Sequence, residues 1–367
     1  MNKRICITYE ELFFLMFFSL ITFGKSIGLG AENNFLRIIT ITAFLSLIVK
    51  LFISKYTFNE FIICFFLILI GLGTYLVTKR EGILLSILTL IGLKNIEYKK
   101  VFLIAFIIRL FAFLSTISLA MIGVIENNKI VHWRDGTGFI FRYGLGYSHP
   151  NLLHSTFFII VVLFLYLYYE KINVLNCSII VMLNLFIYSF SGSRTGYYLI
   201  IFSVILSIFS KINRQKTKYL IYRLIIPFCL AFTFITSILY GKYEIINKLD
   251  SLFSGRIYYT SYFFKNYSMS LLGNNLYLDN NLIDNSYIIL LANYGLIIFI
   301  LYILSYQKII NYFIASKKNK ELVMISLFSI YGITEGFLSN IFMNLSMVYI
   351  GDIIFRSKIN TKEKLCN

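Results

Sequence analysis

The sequence predicts an all-α fold, a polytopic transmembrane bundle of roughly ten to twelve spans with two long extracytoplasmic loops. Three observations carry that expectation. Hydrophobic residues make up 58% of the 367 and charged residues only 14%, with a mean hydropathy of +0.78, which is more apolar surface than a soluble core of this length can bury. Apolar runs of roughly 17–25 residues follow one another from Leu12 to Phe355, each long enough to cross a hydrocarbon layer of ~30 Å. No alternating segments of about ten residues point to a barrel, so helices must satisfy the backbone in lipid.

Reading apolar runs against charged breaks places spans near 9–24, 36–53, 58–78, 82–93, 101–125, 151–169, 172–190, 196–210, 221–240, 286–306, 321–339 and 341–355. The fourth is short, and almost nothing separates the last two. Met1-Asn2-Lys3-Arg4 precedes an apolar stretch without a small-residue cleavage site, so it reads as an uncleaved first span, and residues 1–367 form one integral membrane domain. With both termini cytoplasmic, about 21 of the 34 Lys and Arg fall in inside segments and about 12 in outside ones, the bias expected of that orientation. The net charge of +17 is mostly this bias, and its scatter over loop ends argues against nucleic-acid binding. Five cysteines without a C-x-x-C pair, three of them (Cys64, Cys177 and Cys229) inside spans, indicate neither a disulfide framework nor a metal site.

Inside loops are short and basic, whereas the two long loops, 126–150 and 241–285, both fall outside. The first carries His132-Trp133-Arg134 and then Arg142-Tyr143-Gly144-Leu145-Gly146-Tyr147-Ser148-His149-Pro150-Asn151. Glycines, arginines and a histidine beside a Pro-Asn helix start suit anion and hydroxyl binding; an interfacial loop with Trp133 and Tyr147 at headgroup level is the plainer reading. His154, five residues on, reads as hydrogen-bonded to a neighbouring helix. The outside turn Ser191-Gly192-Ser193-Arg194-Thr195-Gly196 places a guanidinium among hydroxyls and first-turn N–H groups, fit either to grip a phosphate or simply to close a turn.

The second long loop opens on Ser254-Gly255-Arg256, runs through Tyr258, Tyr259, Tyr262, Tyr267 and Tyr277, and ends Asp284-Asn285-Ser286-Tyr287. Tyrosines and amides suit sugars, and Asp284 at a helix lip can cap the helix or take a proton. Arg109 and Glu335 lie inside spans, where charges are functional by default, and Glu335 falls nearer the outer face. No P-loop, H-E-x-x-H or metal cluster is present, and Asp279 and Asp284 are too far apart for a metal-binding carboxylate pair. No metal or other cofactor is expected. An outside site lacks ATP and nucleotide sugars, so its substrates must arrive on lipid.

Together, G-Y-S-H-P-N, S-G-S-R-T-G, S-G-R and D-N-S-Y before L-x-x-Y-G (Leu291 to Gly295) resemble, in that order, the Wzy-type polysaccharide repeat-unit polymerases and, more distantly, the O-antigen ligases. The resemblance covers nearly the whole chain in length, span number and loop order, with motif matches in its middle and later parts. It implies a metal-independent, inverting glycosyltransferase of the bacterial cell membrane. That enzyme moves a growing capsular or O-antigen-like glycan from polyprenyl diphosphate onto the non-reducing end of a lipid-linked repeat unit. It also implies a flippase and a chain-length regulator as partners besides membrane lipids. In the ligases an outside histidine followed by asparagine is the base and outside arginines hold the diphosphate. By motif, Arg194 and Arg256 match those arginines, and Asp284 stands where the ligase histidine does.

Residue chemistry adds Arg142 to the diphosphate ligands, leaves Asp284 and His149 both open as the base, and sets Asn151, Tyr287 and Glu335 as substrate-binding candidates. A ligase is the nearest alternative. A transporter or flippase would show charged or broken helices near the midplane and paired repeats, and no internal repeat is found. The richness in Ile, Lys, Asn, Phe and Tyr points to a low-GC bacterium.

Overall fold

The computed structural model describes residues 7–27, 34–134, 138–212, 217–276 and 283–355. Its helices are α1 (Tyr9–Ser26), α2 (Asn34–Ile53), α3 (Phe58–Thr78), α4 (Gly82–Gly92), α5 (Tyr98–Met121), α6 (Pro150–Leu167), α7 (Val174–Ser191), α8 (Arg194–Ile212), α9 (Thr217–Leu239), α10 (Glu244–Leu252), α11 (Arg256–Asn266), α12 (Ser286–Ala315), α13 (Asn319–Tyr331) and α14 (Val348–Ile354). Two strands, β1 (Lys129–Arg134) and β2 (Gly138–Tyr143), form an antiparallel hairpin between α5 and α6. The chain is an all-α membrane bundle: among the described residues α3, α5, α6, α7, α8, α9 and α12 are long and apolar enough to cross a bilayer. Of these α6 lies deepest, with 78% of its span buried in protein against 22% for α3, which faces lipid.

One end of the bundle is tied by charge. Lys50 lies between Glu10 (3.4 Å) and the Lys94 carbonyl (2.8 Å), Lys94 pairs with Glu60, and Lys100 with Glu11 (2.7 Å), linking the ends of α1 to α5. Nearby, Tyr98 and Tyr166 both donate to buried Glu321 at 3.3 Å, joining α5 and α6 to α13. We refer to this end as the basic face. The opposite end holds the hairpin, α10 and α11.

The long loops are therefore more ordered than their composition indicates. Residues 126–150 contain the hairpin, and 241–285 contain α10 and α11; Tyr277 and Asp279 lie outside the described residues. The last two expected spans need a larger correction. In place of helices over 321–339 and 341–355, α13 has 13 residues and α14 only 7, and 332–344 between them is not helical. A hydropathy reading cannot separate an apolar helix from an apolar irregular segment enclosed by protein, which is where such backbone survives.

Its polar groups are met by side chains of neighbouring elements. Ser86 of α4 donates to the Ser339 carbonyl (2.8 Å) and accepts from the Ile341 amide (3.2 Å). Arg109 of α5, fully buried, donates to the Phe342 carbonyl. Asn285 donates to the Ile333 carbonyl (3.0 Å), Ser286 accepts from the Leu338 amide (3.0 Å) and donates to the Glu335 carbonyl, and Asn344 donates to the Leu338 carbonyl (3.1 Å).

α12 is also broken. Gly295 has φ +88° and ψ 170°, and the freed amides of Leu296 and Ile297 donate to the carbonyls of Ser270 (2.9 Å) and Leu271 (3.2 Å). The glycine of the L-x-x-Y-G motif is thus the kink. A Cβ there would lie 2.3 Å from the Gly273 nitrogen and 2.4 Å from the Leu271 oxygen, both rigid backbone. Gly295→Ala is expected to cost about 1–3 kcal/mol in backbone strain alone, with the clash in addition. Thermal unfolding in detergent should show a clear drop for this variant and almost none for Leu304→Ala, exposed on the same helix.

Candidate functional site

At the end of the bundle opposite the basic face, five separate stretches of chain converge on one cavity of about 460 Å³. The hairpin supplies its first wall. Side chains alternate along a strand, so Ile130, His132 and Arg142 face the cavity, while Val131, Trp133, Phe139 and Phe141 are exposed on the other face. Arg142 is buried; its Nε donates to the Ser191 carbonyl (2.7 Å) and one Nη to Asn151 Oδ1.

The G-Y-S-H-P-N motif starts α6. His149 is the N-cap: its Nδ1 accepts from the Asn151 amide at 3.0 Å, and Pro150 occupies the first helical position, where no amide is needed. An amide can only donate, so Nδ1 offers its lone pair and the imidazole proton sits on Nε2. Desolvation, and then the Arg142 charge, hold the His149 pKa below its ordinary value. In this arrangement His149 faces the cavity as a neutral donor. His154 lies beneath, buried between Ser191 Oγ (2.9 Å) and Asn184 Oδ1 (3.0 Å) of α7, a helix–helix link.

The S-G-S-R-T-G turn joins α7 to α8. Gly192 closes α7 with φ +55°, and Gly196 lets the His154 ring come within van der Waals distance of the α8 backbone, since a Cβ there would meet it at 2.4 Å. Arg194 opens α8 and lines the cavity, and its Nε is buried without a hydrogen-bond partner among the described residues. A buried N–H of this kind has an unmet need for an acceptor.

The S-G-R motif reverses the chain between α10 and α11 through two left-handed residues, Ser254 (φ +57°) and Gly255 (φ +81°). Asp250 caps the new helix by accepting from the amides of Ile257 (2.8 Å) and Tyr258 (3.2 Å), and Arg256 becomes its first residue. The Arg256 guanidinium reaches Asp284 Oδ2 (3.1 Å), Thr195 Oγ1 (3.2 Å) and Glu335 Oε1 (2.9 Å).

Asp284 does not cap α12. Asn285 does, accepting from the amides of Tyr287 (3.0 Å) and Ile288 (3.2 Å), which leaves the Asp284 carboxylate, 37% exposed, to the cavity. Glu335 lies beyond the end of α13, level with the first turn of α12 and outside the spanning helices, not within a helical span as expected. The cavity therefore gathers His149, Asp284, Arg142, Arg194, Arg256, Asn151 and Glu335. Tyr287 is not among them. It is fully buried, and its hydroxyl donates to the Ser329 carbonyl at 2.9 Å, so it is a packing residue of α12. Thr195, expected as a hydroxyl donor or a cap in the turn beside Arg194, instead accepts from Arg256.

Burial opposes the charge on Arg256, but Glu335 and then Asp284 outweigh it and hold its pKa above the ordinary value. For Glu335 burial dominates and pushes the carboxyl up to about 7; Arg256 pulls the other way and Asp284 adds to the rise. Among the described residues no group of three or more His, Cys, Asp or Glu side chains is placed to hold a metal, and the fixed positive charge here is guanidinium. No family model, curated protein or solved structure matches the chain.

The folded protein binds the Glu335 proton more tightly than the unfolded chain, whose carboxyl titrates near 4.5. Stability relative to Glu335→Gln should therefore fall as pH rises from about 4.5 to about 7, and stay level above that. Thermal unfolding of both proteins in detergent across this range measures the difference. A flat difference would mean that Glu335 titrates in the folded protein as it does in the unfolded chain.

Proposed function

We propose that this chain is an extracytoplasmic glycosyltransferase of the bacterial cell membrane. On this reading it lengthens a capsular or O-antigen-like polysaccharide by moving a growing glycan from its polyprenyl diphosphate onto a lipid-linked repeat unit. The observation that carries the proposal is the convergence of three arginines and two carboxylates, distant in sequence, on one cavity at the end opposite the basic face. The surplus of basic residues on the other face supports an extracytoplasmic cavity, with both termini cytoplasmic. The ordered motifs shared with the Wzy-type polymerases support the same reading.

In the proposed reaction the acceptor hydroxyl attacks the anomeric carbon of the donor glycan as the bond from that carbon to the phosphate oxygen breaks. The hydroxyl proton passes to a carboxylate, and the electron pair leaves with the lipid diphosphate. Arg194, with an unmet donor, and Arg142 would hold the diphosphate as its charge grows, and Arg256 would join them. His149 uses its Nδ1 lone pair to cap α6, which moves the base role to the pair Asp284 and Glu335. Asp284 is the more open of the two, and a carboxyl near 7 suits Glu335 to proton transfer at neutral pH.

The breaks at Gly295 and 332–344 are a feature that a transporter would also show. Here they are closed by protein: residues 270–274 fill the first, and side chains of α4, α5 and α12 satisfy the second.

Arg194→Ala and Arg256→Ala should leave the protein in the membrane and lower chain extension by about 100-fold or more, so that single lipid-linked repeat units accumulate. Normal chain-length ladders from both expressed variants would sink the diphosphate role. In the same assay, whichever of Asp284→Asn and Glu335→Gln removes the base should lose about 100-fold or more, while His149→Ala loses far less. Loss with His149→Ala alone would return the base role to the histidine.

A further inference from the structure

We infer that the protein has a second lipid site beside the polar cavity, built for an amphiphile with a phosphate head, and that it seats the polyprenyl carrier of the acceptor. The naming of that carrier rests on the glycosyl-transfer reading; the site itself rests on the geometry that follows.

A chamber of about 900 Å³ lies among α1, α2, α3, α4 and the irregular segment 332–344. Its walls are apolar, with Leu20 and Ile21 of α1, Ile39 and Phe44 of α2, and Leu84 and Leu88 of α4. Its rim is basic. Lys25 and Arg37 line it, and an adjoining pocket of about 470 Å³ adds Lys79 and Arg80. All four cations are exposed and none is held in an ion pair among the described residues. Glu81 is the only carboxylate among the described residues that line either space. An apolar trough under a cationic rim matches a hydrocarbon chain under an anionic head.

The way in favours a lipid over a soluble anion. α2 packs on α1 and α4 rather than on α3, a spanning helix with only 22% of its span buried, which puts the inferred entry between α2 and α3. A chain can slide in from the bilayer without crossing water, whereas a soluble anion would gain nothing from the apolar walls.

The two spaces share a wall. Leu152, Gly336, Phe337 and Met343 line both the chamber and the polar cavity. A glycan carried on the second head group lies next to Asp284 and Glu335, while a donor diphosphate lies across the cavity at Arg194 and Arg142. Separate cationic seats keep the two lipid phosphates apart and let their sugars meet at the carboxylates.

Native mass spectrometry of the full chain in detergent, with sugar-free polyprenyl diphosphate as the probe and phosphatidylglycerol as competitor, tests this. Wild type should bind two polyprenyl lipids, with phosphatidylglycerol displacing neither. Lys25→Glu with Arg37→Glu should weaken one of the two by at least about tenfold. Leu85→Trp, which fills the chamber without changing charge, should remove the same one. A single lipid on wild type, or both retained in the charge-reversed and filled variants, would overturn the site, and equal occupancy by phosphatidylglycerol would overturn its assignment to the polyprenyl carrier. If two lipids bind as described but Arg194→Ala and Arg256→Ala cells make normal ladders, the second site stands and the transfer reading falls. One bound lipid with collapsed ladders gives the reverse.

Discussion

An irregular backbone enclosed in a membrane bundle must find a partner for every amide and carbonyl that a helix would have paired internally, and the cavity depends on that constraint being met. Residues 332–344 meet it with donors and acceptors from three directions: Ser86 on α4, Arg109 on α5, and the Asn285-Ser286 start of α12. Each also fixes the position of its own helix relative to the segment. Because the chain leaves helical geometry at Gly332, Glu335 is carried off the wall of α13 and set against Arg256. A continuous helix over 321–339 would have no such freedom. Gly295 repeats the arrangement, with the carbonyls of Ser270 and Leu271 supplying the missing acceptors.

The charges of the cavity form a second layer on this frame. Arg256 binds two carboxylates and a hydroxyl, so its charge is compensated before any ligand arrives. Arg194 differs, since its buried Nε has no acceptor among the described residues. The two arginines matched by motif are therefore not equivalent. One orders the carboxylates, and the other presents an unmet donor. Burial pushes the Glu335 carboxyl up to about 7, so Glu335 can release Arg256 by taking a proton.

Much of the bundle was legible in the sequence because hydropathy reports what lipid demands. The helices from α1 to α9 begin and end within a few residues of the expected spans, and the candidate residues of the three loop segments, Tyr287 excepted, gather in one place. The parts that were not legible share a physical cause. The hairpin strands are only six residues each, too short to register against the spans, and α11 is held by Asp250, seven residues before the first amide it caps. Asn285 rather than Asp284 caps α12, a choice between adjacent Asx residues on which propensity is nearly indifferent. Tyr287 belonged to a polar motif but points inward, since one helical step from Asn285 turns it towards Ser329.

The two ends of the bundle use their charges differently. On the basic face, buried ion pairs among Glu10, Lys50, Lys94 and Glu60 use their charges on one another, with hydrogen bonds from Ser54 and Asn95 completing the lone pairs. Breaking one such pair would strand its partner in an apolar surrounding, so that end has one arrangement available. At the cavity end the charges are unequal in number and partly exposed, α6 and α12 are capped by histidine and asparagine rather than by carboxylate, and the loops fold back as short helices. Asn285 and His149 do the capping, and Asp284, Glu335 and the arginines remain turned towards the space between them.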